Sequence, residues 1–151
     1  MVSFKITTNV NRPIAIVWKA FINPDNMLYW TKYLEKVEVV EGEFGEIGAL
    51  SRLHYLEKGK AYILEDKLLD FEEGKRIVSE VFGHGMKIIL ETNFDPIDGF
   101  TNVSMLWTGT GNSFFVRIAL WLMQNKISKQ ALNELLHFKS LVEVHGEGFS
   151  N

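Results

Sequence analysis

"FFVRIALWLMQNKISKQALNELLHFKSLVEVH", residues 114–145, is the stretch whose reading decides the fold. Leu120, Met123, Ile127, Ala131, Leu135, Phe138 and Val142 recur at three- and four-residue steps with polar residues between them, the pattern of an amphipathic helix. Asn112 or Ser113 suits its N-cap, and Gly146 its stop. As one helix, these 32 residues reach roughly 48 Å. That is more than one core needs, so a bend near Asn125 is expected. The opening "FFVRIALWLM" poses a question of its own, because nine of its ten residues are apolar. Such a run can enter a membrane, complete a core or line a cavity. A spanning helix needs roughly 20 apolar residues, and this run is interrupted at Arg117 and ends at Gln124-Asn125-Lys126. Stable insertion is therefore not expected. The stretch itself also lacks the basic polar face of an interfacial helix.

Upstream of Gly109 the period is that of strands. Phe4, Ile6 and Thr8 alternate with Lys5, Thr7 and Asn9 in a first strand over 2–10. The period then changes: Ile14, Val17, Trp18 and Phe21 share one helical face behind Pro13, which suits a first turn. Asn23-Pro24-Asp25 repeats the start signal, so a second short helix should run to about Trp30. From Tyr33 to Gly109, turn signals at Gly42–Gly48, Lys58-Gly59, Glu73-Gly74, Gly83–Gly85 and Pro96–Gly99 divide the chain. Six strands of about eight to eleven residues on short loops must form an antiparallel meander. Two of them have a legible inner face, with Met86, Ile88, Leu90 and Phe94 on one and Val103, Met105 and Trp107 on the other. Strands 49–57, 61–69 and 75–82 leave their inner face open; the first two carry large apolar residues on both sides.

Composition bounds the function. Of 151 residues, 46% are hydrophobic and 23% charged, which fits one globular domain over 1–151 and excludes a disordered chain. With 16 basic and 19 acidic residues the net charge is -3, and neither sign forms a long run, so no nucleic-acid partner is expected. The absence of cysteine excludes disulfides, thiolate zinc sites and thiol nucleophiles. "MVSFKITTNVNRP" shows no basic segment followed by an apolar run, so a cytoplasmic location is the default expectation.

The expected fold class is α+β: a seven-stranded curved antiparallel sheet, two short helices after the first strand, and a long C-terminal helix as the only cover large enough for the apolar face. A curved sheet does not close evenly on one helix. The short helices plug part of the gap, and the remainder becomes a cavity.

This order resembles the helix-grip fold of the START-related and birch-pollen-allergen superfamily, SRPBCC, in particular its polyketide cyclase/dehydrase and lipid-transport branch. The resemblance spans essentially the whole chain. It is carried by "NRPIAIVWKAFINPDNMLYW" with Trp18, Pro24 and Trp30, by the glycine-spaced "EGEFGEIGAL", by "GFTNVSM" and by the terminal helix. It implies a hydrophobic cavity between sheet and C-terminal helix, with "FFVRIALWLM" near its mouth and facing a ligand. Members include ligand carriers, hormone receptors, cyclases and chaperone activators, so the resemblance speaks to fold more than to function.

Each candidate residue also has a structural role open to it. Gly42, Gly45 and Gly48 lead into a strand and not a helix, which argues against a phosphate cradle. "GTGN" at 109–112 precedes a helix but lacks Lys and a third glycine, and reads as loop and cap. His54, His84, His137 and His145 have no metal-ligand spacing, so neither a metal nor a cofactor is expected. The expected ligand-binding set is Trp30, Met86, Ile88, Leu90, Val103, Met105, Trp107, Leu120, Trp121 and Met123, although an apolar residue at these periods more often packs in the core. Candidate polar pocket groups are His54, Tyr55, Tyr62, Asp66 and Glu80. His54 leans to solvent, and lone strand carboxylates are mostly surface residues. Glu65 and Asp66 point to opposite faces and cannot act as a pair. No GxSxG element is present, so no catalytic set is complete.

The expected partner is thus a small hydrophobic molecule: lipid, isoprenoid or polyketide-like. A cyclase/dehydrase-type enzyme using pocket acid–base groups is the alternative. A chaperone-activator-like domain is the third, with the doubly apolar strands at 49–69 serving a homodimer or partner surface.

Overall fold

The computed structural model describes residues 1–149. Its elements run β1 (Val2–Val10), α1 (Ile14–Ile22), α2 (Pro24–Trp30), β2 (Leu34–Glu41), β3 (Leu50–Glu57), β4 (Lys60–Glu72), β5 (Arg76–Gly83), β6 (Met86–Ile97), β7 (Phe100–Gly111) and α3 (Phe114–His145). The seven strands form one antiparallel sheet in the order β1-β7-β6-β5-β4-β3-β2. This is the expected helix-grip architecture. Its first and second strands lie at opposite edges, and α1 and α2 bridge them.

Local chemistry sets these boundaries. The hairpins β3–β4, β5–β6 and β6–β7 turn on Lys58-Gly59, His84-Gly85 and Asp98-Gly99, each with positive φ at both residues (52° and 77°, 52° and 79°, 46° and 85°). That is a type I′ turn, whose twist matches the flanking strands and whose second position favours glycine. The break expected at Pro96 falls later, since Pro96 and Ile97 still pair with β7. Asn23 caps α2, accepting a hydrogen bond from the Asp25 N–H at 3.0 Å, with Pro24 in the first turn. Ser113 caps α3 by accepting from Val116 N–H at 3.3 Å. The helix then runs unbroken past Asn125 to Gly146. Register shifts in β2–β3 and between Leu68 and Asp70 bend the sheet around the helix.

One core cluster gathers Val10, Val17, Trp18, Trp30, Phe94, Val103, Leu135, Phe138 and Val142 under α1 and the C-terminal half of α3. Asn26 ties this end together. Almost fully buried, it donates to the Ala20 and Glu147 carbonyls at 2.9 and 2.8 Å and accepts from Phe149 N–H at 3.0 Å. A smaller cluster, Val2, Trp107 and Leu120, sits under the start of α3. The helix packs most closely along β1, with less contact to β7 and α2. The concave side of β3–β6 is therefore not filled by it, and this offset positions the site.

Candidate functional site: a cavity between sheet and helix

The space beneath α3 is a cavity of about 590 Å³, within the range of small-molecule sites. Each wall follows from strand alternation or helix rotation. From β6 come Met86, Ile88 and Leu90, from β7 Met105 and Trp107, and from β1 Phe4 and Ile6. Leu53, Leu64 and Val81 close the far side, while Val116, Leu120, Met123 and Ile127 form the roof from α3. Phe4 and Trp107 stack across the β1–β7 pair at 5.0 Å between ring centroids. The indole lies over Gly109, where any Cβ would meet it at 2.5 Å, so glycine is what lets Trp107 lie flat in the wall.

The pairing of β3 with β4 settles the faces that the sequence left open. Tyr55 lies opposite Tyr62 and Ser51 opposite Asp66, all on the inner side. The two tyrosine rings stack at 4.9 Å, with planes 5° apart. Tyr55, Tyr62 and Asp66 line the cavity; His54 and Glu80, one residue out of phase, do not. His54 pairs instead with Glu38 at 3.1 Å, and Glu80 faces Lys87 at 4.0 Å, both across neighbouring strands. Of the apolar candidates, Trp30, Met86, Ile88, Leu90, Met105, Trp107, Leu120 and Met123 line the cavity. Val103 is fully buried in the main core, and Trp121 points outward with 63% of its surface exposed.

Sequence reasoning missed several residues of the site. Phe4 and Ile6 were visible in the alternation of β1. Glu134 and Gln130 were not, because charged and polar residues on an amphipathic helix default to solvent. Glu134 accepts hydrogen bonds from Lys32 N–H at 3.1 Å and from the Gln130 amide at 3.4 Å. Here the cavity meets a second hollow of about 570 Å³ between α2 and α3, bordered also by Tyr29, Lys32, Lys129 and His137. Trp30 and Thr31 border both hollows. The indole N–H of Trp30 and the hydroxyl of Thr31 are buried with no hydrogen-bond partner among the described residues.

Electrostatics in the cavity are governed by burial. Desolvation lifts the Asp66 carboxyl from 3.8 to about 6, with the Ser79 hydroxyl pulling the other way. Glu134 is raised by burial and partly restored by the Lys32 N–H. Tyr55 is raised by burial, then by the charges of Glu134, Tyr62 and Asp66, so its hydroxyl stays protonated. The wall therefore offers hydroxyl donors and two carboxyls raised by burial, Asp66 and Glu134, in an otherwise mostly apolar space.

The Asp66 shift fixes a pH dependence. The folded chain binds this proton more tightly than the unfolded one, so the contribution of Asp66 to stability is highest below 3.8 and falls as pH rises to about 6. Above that the full penalty applies, at most about 3 kcal/mol for a two-unit shift. Asp66→Asn should raise the unfolding free energy at neutral pH by about 1–3 kcal/mol, seen as a higher denaturant midpoint. Near the lower end of the window the two proteins should unfold alike. Urea titrations at both pH values measure the difference.

No family model and no curated protein matches the sequence. Solved structures do match in fold. A protein from Chromobacterium violaceum superposes with a TM-score of 0.75 at 16% identity, covering 95% of this chain and 99% of its own. Ara h 8.0201 gives 0.74 at 16% identity, with 95% and 99% covered. An aromatase/cyclase from Streptomyces sp. R1128 gives 0.72 at 16% identity, with 93% and 94% covered. At these identities the likeness is one of fold.

Proposed function

We propose that this chain binds a small hydrophobic molecule, of the lipid, isoprenoid or polyketide-like class, between its sheet and α3. One observation carries the reading: a cavity of about 590 Å³ walled by apolar and aromatic side chains. A protein of this size ordinarily packs its interior to crystal density, and a void of this volume forfeits the contacts that would stabilise it. A ligand restores them. The methionines at 86, 105 and 123 suit a range of apolar shapes, and Tyr55, Tyr62 and Asp66 supply a polar end for one oriented group.

An acid–base enzyme is the second reading, favoured by the same Tyr55–Tyr62–Asp66 cluster and by the fold it shares with an aromatase/cyclase. Binding is common to both readings and is tested first. N-Phenyl-1-naphthylamine, an uncharged dye that brightens in apolar surroundings, should bind with one-to-one stoichiometry and at micromolar concentration. A titration without saturation would remove the basis for either reading.

A further inference from the structure

The opening of α3 is exposed where an ordinary helix would be polar. Phe114, Phe115, Ile118, Trp121 and Leu122 show 63%, 82%, 40%, 63% and 68% of their surface to solvent. At 100° per residue these five fall on one face, opposite Val116, Leu120 and Ile127, which are turned to the interior. Isolated exposed apolar residues are ordinary, but five contiguous large ones, two of them phenylalanines and one a tryptophan, mark an interaction surface.

Charge identifies the partner. The chain holds 19 acidic residues and a net charge of -3, yet Phe114 to Asn133 contains no Asp or Glu and does contain Arg117, Lys126 and Lys129. All three basic residues are exposed. The basic component missing from "FFVRIALWLM" itself is supplied by the next turns of the same helix. Aromatic and aliphatic residues whose only charged neighbours along the helix are cations form the composition of a helix that lies in a lipid interface. Twofold self-pairing through this face would set like charges toward one another. The cavity also reaches the flank of the patch, since Ala119, Met123 and Lys126 are exposed and line it. No helix of the described residues is long and apolar enough to cross a membrane.

We propose that the outward face of the first half of α3 docks on the surface of an anionic lipid membrane, with Phe115, Trp121 and Leu122 entering the interface and Arg117, Lys126 and Lys129 facing the headgroups. Docking there places the cavity's edge beside the bilayer. The proposal does not depend on which ligand the cavity takes.

Vesicle flotation tests it, using the full chain with phosphatidylcholine vesicles that contain or lack phosphatidylglycerol. The protein should float with the anionic vesicles and at least tenfold more weakly with the neutral ones. Trp18, Trp30 and Trp107 are buried, so a blue shift on binding reports Trp121. Phe115→Ser with Trp121→Ser should cut flotation at least tenfold while leaving the thermal midpoint unchanged, because neither side chain is in the core. Lys126→Gln with Lys129→Gln should remove the preference for phosphatidylglycerol. Absence of flotation would overturn the proposal, as would equal binding to neutral vesicles or binding that survives the Phe115 and Trp121 substitutions. A dimer by sedimentation that those two substitutions dissolve would reassign the face to self-association.

Discussion

Phe138→Ala should lower the unfolding free energy by about 3–5 kcal/mol, among the largest single effects available in this chain. Phe138 has no exposed surface. Its ring stands edge-on to Phe21 at 5.6 Å and to Trp30 at 5.3 Å, and lies 6.0 Å from Phe149. It thereby joins α1, α2, α3 and the C-terminal segment. Truncation removes the transfer free energy of the ring and leaves a hole that three rigid aromatic neighbours cannot collapse into. The effect should appear as a lower denaturant midpoint at unchanged slope, since the surface exposed on unfolding barely changes. A loss below about 1 kcal/mol would mean that the aromatic cluster repacks freely, contrary to its burial.

Ile88→Trp should abolish dye binding with little effect on stability. Ile88 lies mid-strand in β6, opposite Gly109 on one side and Val81 on the other, and its side chain meets open cavity. Ile88 packs on one side against the Trp107–Leu120 cluster and borders the cavity on the other, into which a larger side chain can extend, so the overpacking cost is smaller than in a filled core. The new ring occupies volume that a ligand needs. Affinity for N-phenyl-1-naphthylamine should fall at least tenfold, about 1.4 kcal/mol, with the folded state within about 1 kcal/mol of the parent. Trp121→Ala is the control: its side chain faces away from the cavity, so dye binding should persist. Loss of binding in the control and retention in Ile88→Trp would relocate the dye site to the outer face of α3.

The fold was legible because the period changes sharply. The alternation of β1, the three- and four-residue steps of α1 and α3, and the turn signals between strands all survive tertiary packing. The inner faces of β3 and β4 were not legible, and the reason is physical. Leu56 and Ile63 are large apolar residues left exposed on the outer face, which erases the alternation that normally marks a half-buried strand. Only pairing resolves it, through Tyr55 against Tyr62. Asp66 stands among the candidate polar groups against the rule that lone strand carboxylates are mostly surface residues, and it lines the cavity and not the packed core. Trp121 was grouped with Leu120 and Met123 on apolarity alone. One residue of helix rotation carries it out of the roof and onto the exposed face.

Occupancy of the space between sheet and α3 by a ligand is the central claim of the proposed function. Native mass spectrometry of freshly purified protein, compared with its denatured mass, tests it most directly. An extra mass that is released on denaturation, absent from Ile88→Trp and exchangeable for N-phenyl-1-naphthylamine is the predicted result. A bare native mass that the dye does not change would contradict it, and would identify the space beneath α3 as a void that takes no ligand.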